Sequence, residues 1–100
     1  MNKTNIMAIG RHPEILQTVV RLVNNNPAWV CTGVISDEDA LAEFPAKAYR
    51  LVLLCNGISP ASEELLCAAF RAYNPAIIIV QHYGGGSGLL SGEIYEALGV

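Results

Sequence analysis

The sequence predicts an α/β protein, a three-layer sandwich in which a four-stranded parallel sheet carries helices on both faces. Three observations lead there. Short apolar runs alternate with segments of helical periodicity, in the order βαβαβαβα. The run LVLLC, 51–55, is apolar on both faces, as a strand covered above and below requires. Each pair of runs is separated by enough chain for a crossover helix, which makes neighbouring strands parallel and their connections right-handed. With 100 residues the chain suffices for one core, so 1–100 is expected to be one domain.

Taken in order, NIMAI at 5–9 is a buried strand ended by Gly10. Pro13 suits the first turn of a helix, and Ile15, Leu16, Val19, Leu22 and Val23 follow as its apolar stripe until NNNP at 24–27 stops it. WVCTGVI at 29–35 is rich in β-branched and aromatic residues and predicts the second strand. Ser36 supplies a cap and Asp37, Glu38 and Asp39 a dipole-matched first turn for a short helix that runs to about Phe44 and is closed by Pro45. After the strand 51–55, Ser59-Pro60 starts a third helix whose inward stripe is expected to be Leu65, Leu66, Ala69, Phe70 and Tyr73. Asn74-Pro75 ends it, AIIIV at 76–80 is a fourth buried strand, and YGGGSG at 83–88 leads to a last helix with Leu90, Ile94, Tyr95 and Leu98. Alternation of this kind leaves the strand order open.

Composition narrows the function. Hydrophobic residues make up 52% and charged residues 15% of the chain, which argues for a packed core and against disorder. The net charge is −3 and the six Lys and Arg are scattered, so no basic face is offered to nucleic acid. The longest apolar run is far too short to cross a bilayer, and the first ten residues do not resemble a signal peptide, so neither membrane nor export is expected and the cytoplasm is. Cys31, Cys55 and Cys67 are odd in number and form no C-x-x-C pair, so they are expected to be reduced, at least two of them packing residues. No metal or other cofactor is expected.

Three stretches together resemble the receiver domain of two-component response regulators, the CheY-like, flavodoxin-like fold. GRHPEIL keeps Pro13, Glu14, Ile15 and Leu16 where that family has its first turn of helix; YRLVLLCNGISP at 49–60 is similar in spacing to the third strand and its proline turn; and IIIVQHYGG at 77–85 resembles the fourth strand and its loop. The resemblance implies strand order 2-1-3-4, with the family's fifth strand missing. It also implies a loss of chemistry. The acidic pair that holds magnesium corresponds to Gly10 and Arg11, the phosphoacceptor aspartate to Cys55, and the hydroxyl residue after the fourth strand to Gln81, while the fifth-strand lysine has no counterpart. A hard cation wants carboxylate oxygens, and a guanidinium repels it.

In such a fold Arg11, His12, Cys55, Asn56, Gln81 and His82 gather near the carboxyl edge of the sheet, where ligands usually bind. One reading is an anion pocket, with Arg11 and the first helix's amino terminus receiving a phosphate or carboxylate. The plainer one is an Arg11 that points to solvent or pairs with a neighbouring carboxylate. Cys55 with His12 and His82 could form a thiol–imidazole pair or ligate a soft metal, but no fourth ligand is evident and a packing thiol with two loop histidines is the simpler assignment. Gly84, Gly85, Gly86 and Ser87 could nest a phosphate, although the P-loop lysine is absent and a tight turn explains them as well.

If the order is 2-1-3-4, the fourth strand lies at the sheet edge. Ile77, Ile78, Ile79 and Val80 then form an interface candidate, to be covered together with the last helix by a second copy or another protein, or else by the chain's own glycine loop. The reading is a phosphorylation-incompetent receiver-like interaction or self-association module without catalysis. The alternative is a small ligand-binding domain or enzyme that takes a phosphorylated metabolite or nucleotide at the carboxyl edge of the sheet.

Overall fold

Among the described residues four strands and four helices alternate as the sequence predicts. A computed structural model describes residues 3–55, 57–81 and 87–98, without the side chains of 87–91 and 93. Strand β1 (Thr4–Ile9) leads to α1 (Pro13–Asn24), β2 (Trp29–Val34) to α2 (Asp37–Glu43) and a 3₁₀ turn at Phe44–Ala46, β3 (Tyr49–Leu54) to α3 (Pro60–Tyr73), and β4 (Ile78–Gln81) to α4 (Ser87–Leu98). All pairings are parallel and the order is β2-β1-β3-β4.

The capping signals hold with one difference. The Ser36 hydroxyl accepts the Asp39 N–H and that of Ser59 the Ser62 N–H, each satisfying an orphan donor of a first turn. His12 stands at the N-cap of α1 but makes no side-chain cap bond, and Pro13, which has no N–H to satisfy, follows it.

Alternation along the strands divides the core into two layers. Ile6, Ala8, Leu51, Leu53 and Cys55 face α1 and α4, where Leu16, Val19, Val23 and Ile94 meet them. Met7, Ile9, Val52 and Leu54 face α2 and α3, where Ala40, Phe44, Leu66 and Phe70 do. The four apolar residues of β3, Leu51 to Leu54, are all at most 2% exposed, as a central strand should be. Three expected core residues point outward: Ile15 (56% exposed), Leu65 (55%) and Tyr73 (63%). Each sits beside the inward row formed by Leu16, Val19 and Val23 or by Leu66 and Phe70, and the sheet accepts only that row.

Two packing details position the layers. A Cβ on Gly33 of β2 would lie 2.8 Å from Cγ2 of Val20 and 3.3 Å from Cγ of Leu16, so the missing side chain lets α1 press onto the strand. The outer edge of β2 is capped at Cys31 by Asn24, whose amide donates to the Cys31 carbonyl (3.2 Å) and whose carbonyl accepts the Cys31 N–H (2.8 Å), imitating a neighbouring strand.

Helix α4 lies on the α1 side of the sheet. Ile94 is fully buried there, and Tyr95 packs on Trp29 with ring centroids 4.8 Å apart and accepts a hydrogen bond from Asn26. Right-handed crossovers place α2 and α3 on the other side. The α3 side of β4 therefore has no helix of its own among the described residues.

Gly33→Ala is expected to lower stability by about 1–3 kcal/mol through overpacking. Gly92→Ala, in α4 with nothing within 4 Å of the added carbon, is expected to raise it by about 0.5–1 kcal/mol. Urea midpoints at unchanged slope would check both.

Candidate functional site

The carboxyl edge of the sheet is sewn together around the end of β1. The Gly10 N–H donates to the Val34 carbonyl (3.1 Å) and the Cys55 N–H to the Ile9 carbonyl (2.9 Å), so the turns after β1, β2 and β3 meet at one place. A Cβ on Gly10 would touch that of Cys55 at 3.4 Å. Gly57, with φ +95°, adopts the left-handed backbone that glycine favours and lies against the side chains of Arg11 and His12.

Within this knot Arg11 is not free to greet an anion. Its guanidinium donates from Nη1 to the Ile35 carbonyl and from Nη2 to Oδ1 of Asp37, the first residue of α2. The Ser62 hydroxyl, in the first turn of α3, also favours the charged form of Asp37. The Arg11 bond, then the Ser62 hydroxyl, hold the Asp37 carboxyl below its ordinary pKa. One carboxylate thus ties the β1–α1 turn to the start of α2, and any incoming anion would have to displace it from Arg11. The sequence offered a signal for this pair: turns that follow adjacent parallel strands are neighbours, and Asp37 is the first carboxylate after β2.

The other candidates do not converge on Arg11. The side chain of Cys55 is 5% exposed, inside the α1-side core, and burial raises its pKa. It is a packing thiol. Cys31 is pushed up to about 12 by burial and the nearby Cys55, and Cys67 is raised as well, chiefly by partial burial; all three are free thiols. His12 is exposed at the start of α1. Gln81 turns to the other side and donates to Oε1 of Glu63 on α3. Asn56, His82, Gly84, Gly85 and Gly86 lie outside the described residues, as does the side chain of Ser87, which opens α4. Among the described residues no group of three His, Cys, Asp or Glu side chains could hold a metal.

Magnesium, which the receiver resemblance implies, does not fit here. Gly10 offers no side-chain oxygen, Arg11 brings a cation whose charge Asp37 already balances, and Cys55 presents an apolar-buried sulfur in place of a carboxylate.

A second concavity, which the sequence does not announce, lies on the other face. On the α3 side of β4 an open groove of about 670 Å³ is lined by Pro60, Glu63, Glu64, Cys67, Arg71 and Ile79, among others. It exists because α4 lies on the opposite face. Of the expected interface residues, Ile77 is buried at 7% exposure in the α3-side core and so is not surface, whereas Ile78, Ile79 and Val80 are half-buried.

Asp37→Asn is expected to cost a few tenths to about 1 kcal/mol, the worth of a partly exposed ion pair. Folding lowers the Asp37 pKa, so this contribution is complete above about pH 5 and is lost as the pH falls through the native value. Urea titrations of both proteins from pH 7 to pH 2.5 should therefore converge at the acid end.

No protein-family model matches the sequence, and no curated protein does. Solved structures do match. The signal receiver domain of an HD domain-containing protein from Pseudomonas fluorescens aligns with 99% of this chain and 78% of its own, at TM-score 0.71 and 14% identity. The receiver domain of the response regulator NarL from Mycobacterium tuberculosis aligns over the same shares at TM-score 0.65 and 20% identity. The response regulator RcsB from Salmonella typhimurium aligns with 97% of this chain at TM-score 0.67 and 11% identity, and the chain spans about half its length, 50%. Strand order, helix placement and these likenesses agree: the chain has the fold of a response-regulator receiver domain.

Proposed function

We propose that this receiver-fold chain works by docking and not by phosphoryl transfer: a cytoplasmic signalling module that binds another protein, or itself, through the β4 edge. The observation that carries the reading is what stands where a receiver's chemistry would be. The Arg11 guanidinium is locked to Asp37 beside Gly10, and the Cys55 sulfur is buried in the core. Transferring a phosphoryl group needs cations gathered around its oxygens and a nucleophile that can reach it. Here the cation has a protein counter-ion and the candidate nucleophile is buried in the same core layer as Leu16.

What remains of the receiver scaffold is surface. On the β2 edge Asn24 occupies both main-chain groups of Cys31, while among the described residues no side chain performs that service for β4, whose Ile78, Ile79 and Val80 carry no charge to deter pairing. Strand addition at such an edge is a general mode of protein recognition.

Incubation with acetyl phosphate and magnesium should leave the protein unlabelled, and Cys55→Asp alone should not restore labelling, because Gly10 and Arg11 still withhold the metal site. Stoichiometric, magnesium-dependent labelling of the unaltered protein, read by intact mass, would overturn the reading. So would thermal stabilisation by nucleotides or phosphorylated metabolites that is lost in Arg11→Ala.

A further inference from the structure

We infer that the occupant of the β4 edge is a second copy of this chain, paired about a two-fold axis perpendicular to the sheet, with the α3 groove as the seam. The inference rests on the docking reading and names its partner. Its ground is the charge order along α3. Glu64 and Arg71 both line the groove, both are exposed, and neither belongs to an ion pair among the described residues. They are seven positions apart, about 10 Å along one helix face. Between them the groove shows only Cys67 and Ala68, above Ile79 of β4.

A surface with an acid at one end, a base at the other and a small apolar middle is complementary to itself when reversed. Antiparallel addition of β4 to β4 produces that reversal. The two-fold keeps both α3 helices on the same face of the joined sheet and sets Ile79 opposite Ile79 of the second copy. Strand spacing then places the two helices two to three strand widths apart, roughly 10–14 Å. Side chains as long as Glu and Arg can span that gap. Glu64 faces Arg71 of the second copy, the reciprocal pair forms on the other side of the axis, and the two Cys67 side chains approach the axis itself. The outward N–H and C=O groups of β4 gain partners in the same step.

The charge order supplies its own test by sedimentation equilibrium. Unaltered protein is expected to dimerise. Glu64→Lys would oppose two cations across the seam and Arg71→Glu two anions, so each variant alone should associate about tenfold more weakly or worse. An equimolar mixture of the two restores both attractive pairs and should recover the dimer, which also shows that neither variant has lost its fold. In the unaltered dimer a short bismaleimide should join two copies, and Cys67→Ser should abolish the product, since Cys31 and Cys55 are buried. A monomer at all concentrations would overturn the inference, whether the chain's own 82–86 segment or a different protein covers the edge. A dimer indifferent to both charge reversals would overturn it too and place self-association elsewhere. Neither result bears on acetyl phosphate labelling, so the absence of phosphotransfer is judged separately.

Discussion

The burial of β3 on both faces is the constraint from which the rest of the molecule follows. A strand reading Leu51, Val52, Leu53, Leu54 has no side to give to water, so helices must lie above and below it. Right-handed crossovers then fix which helix goes where: α1 on one side, α2 and α3 on the other. The strand's neighbours inherit the same two-sided burial in part, and the turns at their carboxyl ends are brought within hydrogen-bond distance of one another. The ion pair of Arg11 with Asp37, separated by 26 positions in sequence, is possible only because the sheet sets the ends of β1 and β2 side by side.

That constraint also explains how much of the fold is legible in the sequence. Gly10, NNNP at 24–27, Ser36, Ser59-Pro60 and Asn74-Pro75 act locally, through backbone freedom, missing donors and caps, and each marks a boundary where the structure has one. Ile15, Leu65 and Tyr73 face outward against the sequence expectation because an apolar stripe two residues wide does not say which row the sheet will accept. The face chosen by α4 was equally hidden, since Ile94, Ala97 and Leu98 specify that the helix has an apolar side but not which layer receives it. The groove beside β4 follows from that choice, so it could not be foreseen from periodicity.

At the candidate site, sequence supplied identities and structure supplied directions. Arg11, Cys55 and Gln81 do end up near the carboxyl edge, yet they face three ways: toward Asp37, into the core, and toward Glu63. Shared position at a sheet edge is thus weaker than shared orientation. Two polar side chains at that edge are satisfied from within the chain, Arg11 by Asp37 and Gln81 by Glu63.

The two margins of the sheet are unequal. Asn24 blunts the β2 side by occupying both main-chain groups of Cys31. A ribbon with two adhesive borders would recruit copy after copy into a filament; one with a single adhesive border is spent after its first union. In the pairing proposed above, the asparagine that looks like a local tether would act as a terminator, favouring a closed, countable particle over open-ended growth.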